Sequence, residues 1–272
     1  MSSNKNKVAA IQMASSPNVS ANLLEAERLI SEAAEAGAGL VVLPENFAFK
    51  GEHDRDMLTL VEDEDGPLQG FLSQMAQRYD VWVVGGTIPM RASQGGKVRA
   101  ACLVMDNSGN LVARYDKIHL FDVHLVETDE RYVESNTIEP GDGLVTVETP
   151  FGVLGVSVCY DLRFPELFRQ LMAKGAEIFV VPASFTAMTG KAHWEILVRA
   201  RAIENLAFVV AAAQGGYHIS GRETHGHSMI VDPWGTVLSQ VPRGTDFVCV
   251  ELDREYQKTI RRTFPTIDHL RL

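Results

Sequence analysis

The chain has 272 residues, 46% of them hydrophobic and 22% charged, which is typical of a globular protein able to bury a full core. Its formal net charge of -10 argues against nucleic-acid or anionic-membrane partners, and it has no apolar run long enough for a membrane span or a secretory signal. The three cysteines are an odd and sparse set that fits a reducing cytoplasm better than a disulfide scaffold, so we expect a cytoplasmic protein.

Short apolar runs and helical patterns alternate in the first half of the chain. We expect Ser20 to cap a helix in which Leu23, Ala26 and Ile30 recur at helical spacing, and Gly37 to follow its end. A second helix is predicted at Leu68–Tyr79. The strands of this half are predicted at Lys7–Met13, Leu40–Leu43, Val81–Gly85, Arg99–Asp106 and Leu111–Tyr115. The turn at residues 107–110 makes the last two strands a hairpin.

The pattern changes at the start of the second half. Between Phe121 and Gly143 the residues are mostly polar, so we expect a long surface loop, and loops of this length are usually functional or disordered. The later strands are predicted at Val145–Glu148, Val153–Val158, Ile178–Ala183, Phe208–Ala213, Met229–Val231 and Val248–Leu252. The later helices are predicted at Pro165–Lys174 and His193–Asn205. Strand–helix–strand units in both halves, with no linker or repeat, predict one α/β domain over residues 1–272 with mixed sheets.

Cys159 is the first candidate for chemistry, because it ends the apolar run GVLGVSV just before the helix opened by Pro165. A strand-to-helix junction exposes a side chain at the sheet edge and directs free backbone N–H groups at it. Such groups lower a thiol pKa and can hold an oxyanion. Most free cysteines are instead small buried hydrophobic residues, a description that fits Cys102 and Cys249. Its position at the junction favours a nucleophilic role for Cys159.

Glu45 and Lys117 also follow strand ends. Glu45 stands after the apolar run of VVLPENF, where carboxylates are rare unless paired or functional. In isolation, a solvated turn residue is an equally good interpretation. Lys117, in YDKIHLFD, has the ordinary interpretation of a surface lysine, and Glu134, in RYVESN, has that of an exposed acid.

The order of these pieces is more informative than any one of them. The glutamate in PENF, the lysine in KIHLFD and the cysteine in CYDLRFPEL resemble the catalytic contexts of the nitrilase superfamily of carbon-nitrogen hydrolases, and the resemblance spans nearly the whole chain. GKAHWEILVRARAIEN, VVAAAQGG and GHSMIVDPWGTVLS are similar to the Nit branch of that superfamily. Within this branch, RFPEL, RARAIE and VVAAAQ look closer to the deaminated glutathione amidases than to the ω-amidases.

The resemblance implies a four-layer α-β-β-α sandwich with two facing mixed sheets, a homodimer, and no cofactor or metal. It also implies that Glu45, Lys117 and Cys159 are the catalytic triad, and that Glu134 positions the lysine and assists catalysis. In this chemistry the glutamate takes the thiol proton, while the lysine and the Tyr160 N–H hold the oxyanion. The segment HLVETDERY need not match relatives in detail, which leaves the shape of the pocket rim open.

Four residues are candidates for contacts with a substrate. Arg163 lies four residues beyond the cysteine, where a guanidinium could bind a carboxylate in bidentate fashion or form a salt bridge to Glu166. Thr189 matches a substrate-contacting position in the resemblance, with a turn-stabilising hydroxyl as the alternative. Tyr160 and Phe185 are expected as pocket walls, although most aromatic residues simply pack.

Other chemistries find less support. The sequence has no G-x-S-x-G, G-x-x-x-x-G-K-[ST] or H-E-x-x-H motif. His225 and His227 lack further metal ligands nearby, so we expect polar residues at a loop entering a strand. His193, with Trp194 and Glu195, is expected to mark a helix start.

We therefore expect hydrolysis of a small linear amide, with deaminated glutathione as the first candidate substrate, giving 2-oxoglutarate and cysteinylglycine. An ω-amidase acting on 2-oxoglutaramate, an amidase for another carboxamide, and a nitrile hydrolase are the alternatives among enzymes. A catalytically silent binding protein on the same fold is the alternative from another class, and the intact glutamate, lysine and cysteine set argues against it.

Overall fold

The computed structural model describes residues 6–93, 95–126 and 129–271. Its helices are α1 (Val19–Glu35), α2 (Pro67–Tyr79), α3 (Pro165–Ala173), α4 (Ala187–Asn205) and α5 (Arg254–Thr263). Its strands are, in chain order, β1 (Lys7–Gln12), β2 (Ala38–Val42), β3 (Trp82–Val84), β4 (Ile88–Arg91), β5 (Val98–Met105), β6 (Leu111–Asp116), β7 (Asp122–Leu125), β8 (Glu130–Val133), β9 (Thr146–Thr149), β10 (Gly152–Val156), β11 (Ile178–Ala183), β12 (Phe208–Ala213), β13 (Gly215–Tyr217), β14 (Glu223–His225), β15 (Ser228–Val231), β16 (Val237–Val241) and β17 (Asp246–Glu251). Short 3-10 helices cover Asp54–Leu60, Glu134–Asn136, Cys159–Arg163 and Thr266–His269.

Two mixed sheets form the centre of the fold. In the first, the order is β17-β1-β2-β3-β5-β4, with β6 paired to β5, and β1, β2 and β3 are parallel. In the second, the order is β16-β15-β12-β11-β10-β9, and β10, β11 and β12 are parallel. The remaining neighbours in both sheets are antiparallel.

Alternation along β1 shows how the layers are stacked. Val8 and Ala10 pack into a core shared with the second sheet, whereas Ala9 and Ile11 pack against α1 and α2. Successive side chains of a strand point to opposite faces of its sheet. The first sheet is therefore buried on both of its faces. Helices α3 and α4 pack against the second sheet. Within the described part of the chain, this confirms the four-layer α-β-β-α sandwich.

The starts of two helices differ from the sequence-based prediction. Asn18, and not Ser20, caps α1, since its side chain accepts a hydrogen bond from the Ala21 N–H at 3.0 Å. Helix α4 begins at Ala187, six residues before the predicted start at His193, because Thr186 caps it. His193 is therefore an exposed residue inside the helix.

The segment from Phe121 to Gly143 is not wholly the long surface loop that its polarity predicted. Strands β7 and β8 pair across it as a hairpin, with Asp122 opposite Val133. Glu127 and Thr128, at the centre of the HLVETDERY segment, lie outside the described residues. The hairpin returns the chain to its starting point, which sets Glu134 beside Phe121.

Several short elements were missed by the sequence-based prediction, namely β4, β13, β14, β16 and α5. Helix α5 illustrates the reason: only Gln257 and Ile260 of its ten residues are buried, so it lacks an apolar stripe. Among the described residues, no helix combines the length and apolar character that a membrane span requires.

Candidate active site

Three segments that follow strands bring their side chains together between the sheets. Glu45 follows β2, Lys117 follows β6, and Cys159 begins the short turn after β10. The Lys117 ammonium donates to Glu45 Oε1 at 2.8 Å, and these side chains are nearly buried, with 4%, 1% and 8% of Glu45, Lys117 and Cys159 exposed. Because the first two residues come from one sheet and the third from the other, the site exists only where the sheets face each other.

Cys159 has an uncommon backbone conformation. Its φ of +48° lies in the left-handed region, which costs a residue other than glycine about 1–2 kcal/mol. The Ser184 N–H donates to Sγ at 3.4 Å, and the thiol also interacts with the Glu45 carboxylate. Strained residues of this kind cluster at active sites, where the surrounding structure holds them in place.

Asp161, which sequence reasoning did not single out, ties the cysteine turn to the lysine segment. Its carboxylate is fully buried and accepts hydrogen bonds from the Val158 N–H at 2.8 Å, the Tyr115 hydroxyl at 2.7 Å and the His119 N–H at 3.1 Å. Tyr115 and His119 flank Lys117 in the sequence. One carboxylate therefore positions both the turn that carries the sulfur and the segment that carries the ammonium.

Glu134 is a second partner of Lys117 and not the exposed acid that its sequence context indicated. Both of its carboxylate oxygens accept from the lysine, at 2.8 and 2.9 Å. Oε2 also accepts from the Phe121 N–H at 2.6 Å, across the open end of the β7–β8 hairpin. The hairpin thus places Glu134 against the ammonium.

The backbone behind Glu45 is held in place by contacts with two other segments. Gln214 donates from Nε2 to the Glu45 carbonyl oxygen at 3.0 Å and to Ser15 Oγ at 2.8 Å. Gly86 has a φ of +58°, and a Cβ at this position would lie 2.1 Å from the Pro44 carbonyl oxygen. Only glycine combines this conformation with so close an approach, so Gly86 helps to set the position of Glu45.

The electrostatics favour a protonated thiol beside a charged lysine. Burial, followed by the Glu45 carboxylate, raises the pKa of Cys159 well above its usual value, so the expectation of a lowered thiol pKa was wrong. Burial lowers the pKa of Lys117, but the Glu134 and Glu45 carboxylates more than offset this and hold it well above its usual value. Burial likewise raises the pKa of Glu134, against the effect of the lysine.

These side chains line a cavity of about 110 Å³. The charged residues described along its wall are the cations Lys50, Lys117, Arg163 and Arg222 and the carboxylates Glu45, Asp54 and Glu134. The cavity therefore carries more positive than negative charge, although the whole chain has a net charge of -10. A local field of this sign favours an anionic ligand.

All four residues expected to contact a substrate line this cavity, namely Tyr160, Arg163, Phe185 and Thr189. The Arg163 guanidinium lies 5.7 Å from the Tyr160 ring centre and 5.1 Å from that of Phe185, and its Nη1 is 3.2 Å from His193 Nδ1. Within the described residues, it forms no salt bridge with Glu166 or any other carboxylate. The charge of Arg163 is thus available to a ligand.

The other predicted contacts have structural partners as well. Thr189 Oγ1 lies 2.8 Å from Thr186 Oγ1 at the start of α4, so its hydroxyl also serves the helix cap. The Tyr160 ring packs edge-on against Phe121 at 5.1 Å, and Phe185 packs against Trp194 at 4.9 Å. These aromatic rings therefore form a packed wall on the side of the cysteine.

Three charged residues of the cavity, Lys50, Asp54 and Arg222, were missed by sequence reasoning. The Lys50 ammonium donates to Ser184 Oγ at 2.7 Å, and Arg222 pairs with Asp54 at 3.0 Å. A signal existed for Lys50, which stands five residues after Glu45 in PENFAFK. The sequence carries no comparable signal for Arg222, because it reaches the cavity on the β13–β14 hairpin from a distant part of the chain.

The remaining candidates from the sequence lie outside the cavity. Cys102 is fully buried as expected, whereas Cys249 is half-buried. The rings of His225 and His227 stack at 4.2 Å, and burial together with His227 lowers the pKa of His225 to about 4. His225 ends β14 and is therefore part of a strand, not of the loop that we expected.

A thiol, a carboxylate and an ammonium that meet between two facing sheets are the groups that a cysteine-dependent hydrolase requires. Comparison with known families identifies the class: the carbon-nitrogen hydrolase family matches residues 7–262, and the chain belongs to this family. The predicted superfamily and its enzymatic character are thereby confirmed.

Individual relatives place the chain more narrowly. It is 44% identical over 265 residues to the deaminated glutathione amidase of Yersinia enterocolitica, with 97% of this chain and 92% of the relative aligned. The crystal structure of Saccharomyces cerevisiae Nit3, a member of branch 10 of the nitrilase superfamily, is 32% identical with a TM-score of 0.86, covering 95% of this chain and 94% of Nit3. The NitFhit protein of C. elegans is 35% identical with a TM-score of 0.87, and the match covers 98% of this chain and 65% of NitFhit. The similarity to the Nit branch is confirmed.

Proposed function

We propose that the chain hydrolyses a small linear amide through a thioester on Cys159. The observation that carries the proposal is the meeting of Glu45, Lys117 and Cys159 in one cavity, with the thiol beside the carboxylate and the carboxylate 2.8 Å from the ammonium. A poor electrophile such as an amide carbonyl needs a strong nucleophile, a base and a stabilised oxyanion together.

In the first half-reaction, Glu45 takes the thiol proton as the sulfur of Cys159 attacks the carbonyl carbon. The raised pKa of the thiol makes proton transfer part of the attack, since the sulfur is not ionised beforehand. Lys117 and the Tyr160 N–H stabilise the negative charge that develops on the carbonyl oxygen. The tetrahedral intermediate collapses as Glu45 returns its proton to the leaving nitrogen, which breaks the carbon–nitrogen bond and leaves a thioester.

In the second half-reaction, Glu45 takes a proton from water, and the hydroxide attacks the thioester carbonyl. Collapse of this intermediate expels the sulfur, which regains its proton from Glu45, and releases a carboxylic acid. Glu134 keeps Lys117 charged and in place during both steps, because both of its carboxylate oxygens accept hydrogen bonds from the ammonium. No other group changes its covalent state over the cycle.

Deaminated glutathione is the substrate that we propose. The relatives at 40–44% identity that carry this activity in their names support it, and so does the excess of positive charge in the cavity, since this substrate has a carboxylate at each end. The products are 2-oxoglutarate and cysteinylglycine. Ammonia release from 2-oxoglutaramate, in contrast, would indicate an ω-amidase.

Intact-protein mass spectrometry and product analysis test the proposal together. Mixing the enzyme with deaminated glutathione is expected to give a transient thioester adduct and cysteinylglycine, both absent from Cys159→Ala. Cys102→Ala, which changes a buried thiol outside the cavity, is the matched control and should retain the adduct. Turnover by Cys159→Ala would remove the nucleophile assignment, and wild-type enzyme without adduct or turnover would favour a silent binding protein.

We further propose that residues 1–272 act as one catalytic domain and assemble as a homodimer in a reducing cytoplasm. The site takes residues from both sheets, which supports a single functional unit. Exposed apolar side chains on one outer surface support self-association: Ile196 and Ile203 on α4, and the contacting rings of Trp234 and Phe264. Sedimentation velocity tests this, since a monomer at micromolar concentration would contradict the dimer.

A further inference from the structure

The cavity contains an amino group that the proposed reaction does not use. Lys50 follows β2 on the same segment as Glu45 and is half-buried at the cavity wall. Its ammonium donates to Ser184 Oγ at 2.7 Å. The backbone N–H of Ser184 in turn donates to the sulfur of Cys159, so Lys50 is separated from the nucleophile by one residue.

Lys50 differs from Lys117 and Arg222, two other cations of the cavity, because among the described residues it forms no salt bridge with a carboxylate. In the described residues, no carboxylate lies within 4 Å of its ammonium. Lys117 contacts two carboxylates and Arg222 is paired with Asp54. A half-buried ammonium whose protein partner is a hydroxyl retains the capacity to bind an anion.

The position of Lys50 indicates which part of a substrate it faces. In the proposed reaction, Glu45 returns the proton to the leaving nitrogen, so the leaving amine lies on the side of Glu45 and of the segment that carries Lys50. Arg163, the other cavity cation without a carboxylate partner among the described residues, lies on the turn that carries Cys159, and we assign it to the acyl group that the sulfur attacks.

A side pocket provides space on the same side as Lys50. It has a volume of about 50 Å³ and shares Asn46, Lys50, Asp54, Met57 and Arg222 with the main cavity. The shared lining shows that the two spaces adjoin each other at Lys50. A leaving group larger than ammonia thus has space beside Lys50.

We propose that Lys50 is a specificity-determining residue that binds a carboxylate on the leaving amine of the substrate, with the Ser184 hydroxyl as a second donor. Arg163 binds the carboxylate of the acyl part. The substrate class is therefore a linear amide with an anionic group on each side of the scissile bond. This inference rests on the proposed amidase function and defines its selectivity.

The test uses two amides that differ at one position. The first is 2-oxoglutaryl-cysteinylglycine, and the second has a carboxamide in place of the glycine carboxylate. The measured quantity is the ratio of kcat/KM for the first to that for the second, in wild type, Lys50→Met, Lys50→Arg and Lys174→Met. Lys174 is an exposed lysine at the end of α3 and serves as the matched control.

We expect Lys50→Met to lower this ratio by about tenfold or more, because a charge-assisted hydrogen bond to the carboxylate is lost. Lys50→Arg should restore most of the ratio, and Lys174→Met should leave it unchanged. An unchanged ratio in Lys50→Met, or an equal loss for both amides, would overturn the role of Lys50 while the amidase function stands. If the wild type cleaves neither amide and forms no thioester, the proposed function itself has failed.

Discussion

Replacement of Lys117 by methionine removes the ammonium between two carboxylates while keeping a side chain of similar length. The ammonium contacts Glu45 Oε1 and Glu134 Oε1 at 2.8 Å each, so these two oxygens are at most about 5.6 Å apart. At an effective dielectric constant of about 20, each contact contributes about 6 kcal/mol before desolvation is counted. Two carboxylates at that separation repel each other by about 3 kcal/mol.

We therefore expect Lys117→Met to lower the free energy of unfolding by about 3–5 kcal/mol at pH 8, the usual cost of breaking a buried pair. The loss should depend on pH. Repulsion and burial raise the pKa of the carboxyl pair in the folded variant above its unfolded value. Such groups stabilise the fold when they are protonated, and this contribution is lost as the pH rises through their folded pKa. The difference in the free energy of unfolding between wild type and variant should therefore be smaller at pH 5 than at pH 8.

Urea unfolding followed by circular dichroism at pH 5, 6.5 and 8 measures this deficit. The double variant Lys117→Met/Glu134→Gln is the matched control, because it removes one negative charge at nearly constant volume. It should recover part of the lost stability at pH 8, whereas both variants should lose at least about 100-fold in kcat, since both lack the group that we propose as the oxyanion donor. A deficit that is independent of pH, or a double variant no more stable than the single one, would refute the electrostatic account of the site.

Two further predictions concern the walls of the site. Arg163→Ala should raise KM by about tenfold or more for amides that carry a carboxylate on the acyl part, because the guanidinium has no competing carboxylate among the described residues. An equal rise in KM for neutral amides would argue for a packing role of Arg163. Gly86→Ala should reduce kcat and lower the melting temperature, because a Cβ there would lie 2.1 Å from the Pro44 carbonyl oxygen and would displace Glu45. Gly70→Ala is the control, because Gly70 lies on an exposed face of α2 with open space around it, and this substitution should be neutral or slightly stabilising. Equal effects of Gly86→Ala and Gly70→Ala would contradict the steric explanation.

The central strands could be predicted because their information is local. Each of β1, β11 and β12 is a short apolar run, and burial on both faces produces such runs regardless of neighbouring segments. The order of the PENF, KIHLFD and CYDLRFPEL motifs was likewise sufficient to recognise the family. Elements that bury few apolar residues, such as α5 and the hairpin strands β7 and β8, gave too weak a pattern to be detected.

The sequence by itself thus predicted the layers, the family and which side chains meet in the candidate site. The tertiary structure alone decided the state and partners of those side chains: Lys117 and Glu45 are 72 positions apart, and Tyr115 and Asp161 are 46 apart. The raised pKa of the Cys159 thiol depends on its burial between the sheets and on the Glu45 carboxylate. Cys159 follows a strand of the second sheet, whereas Glu45 follows a strand of the first. Charge pairing and desolvation act through space, so no local pattern of residues could reveal them.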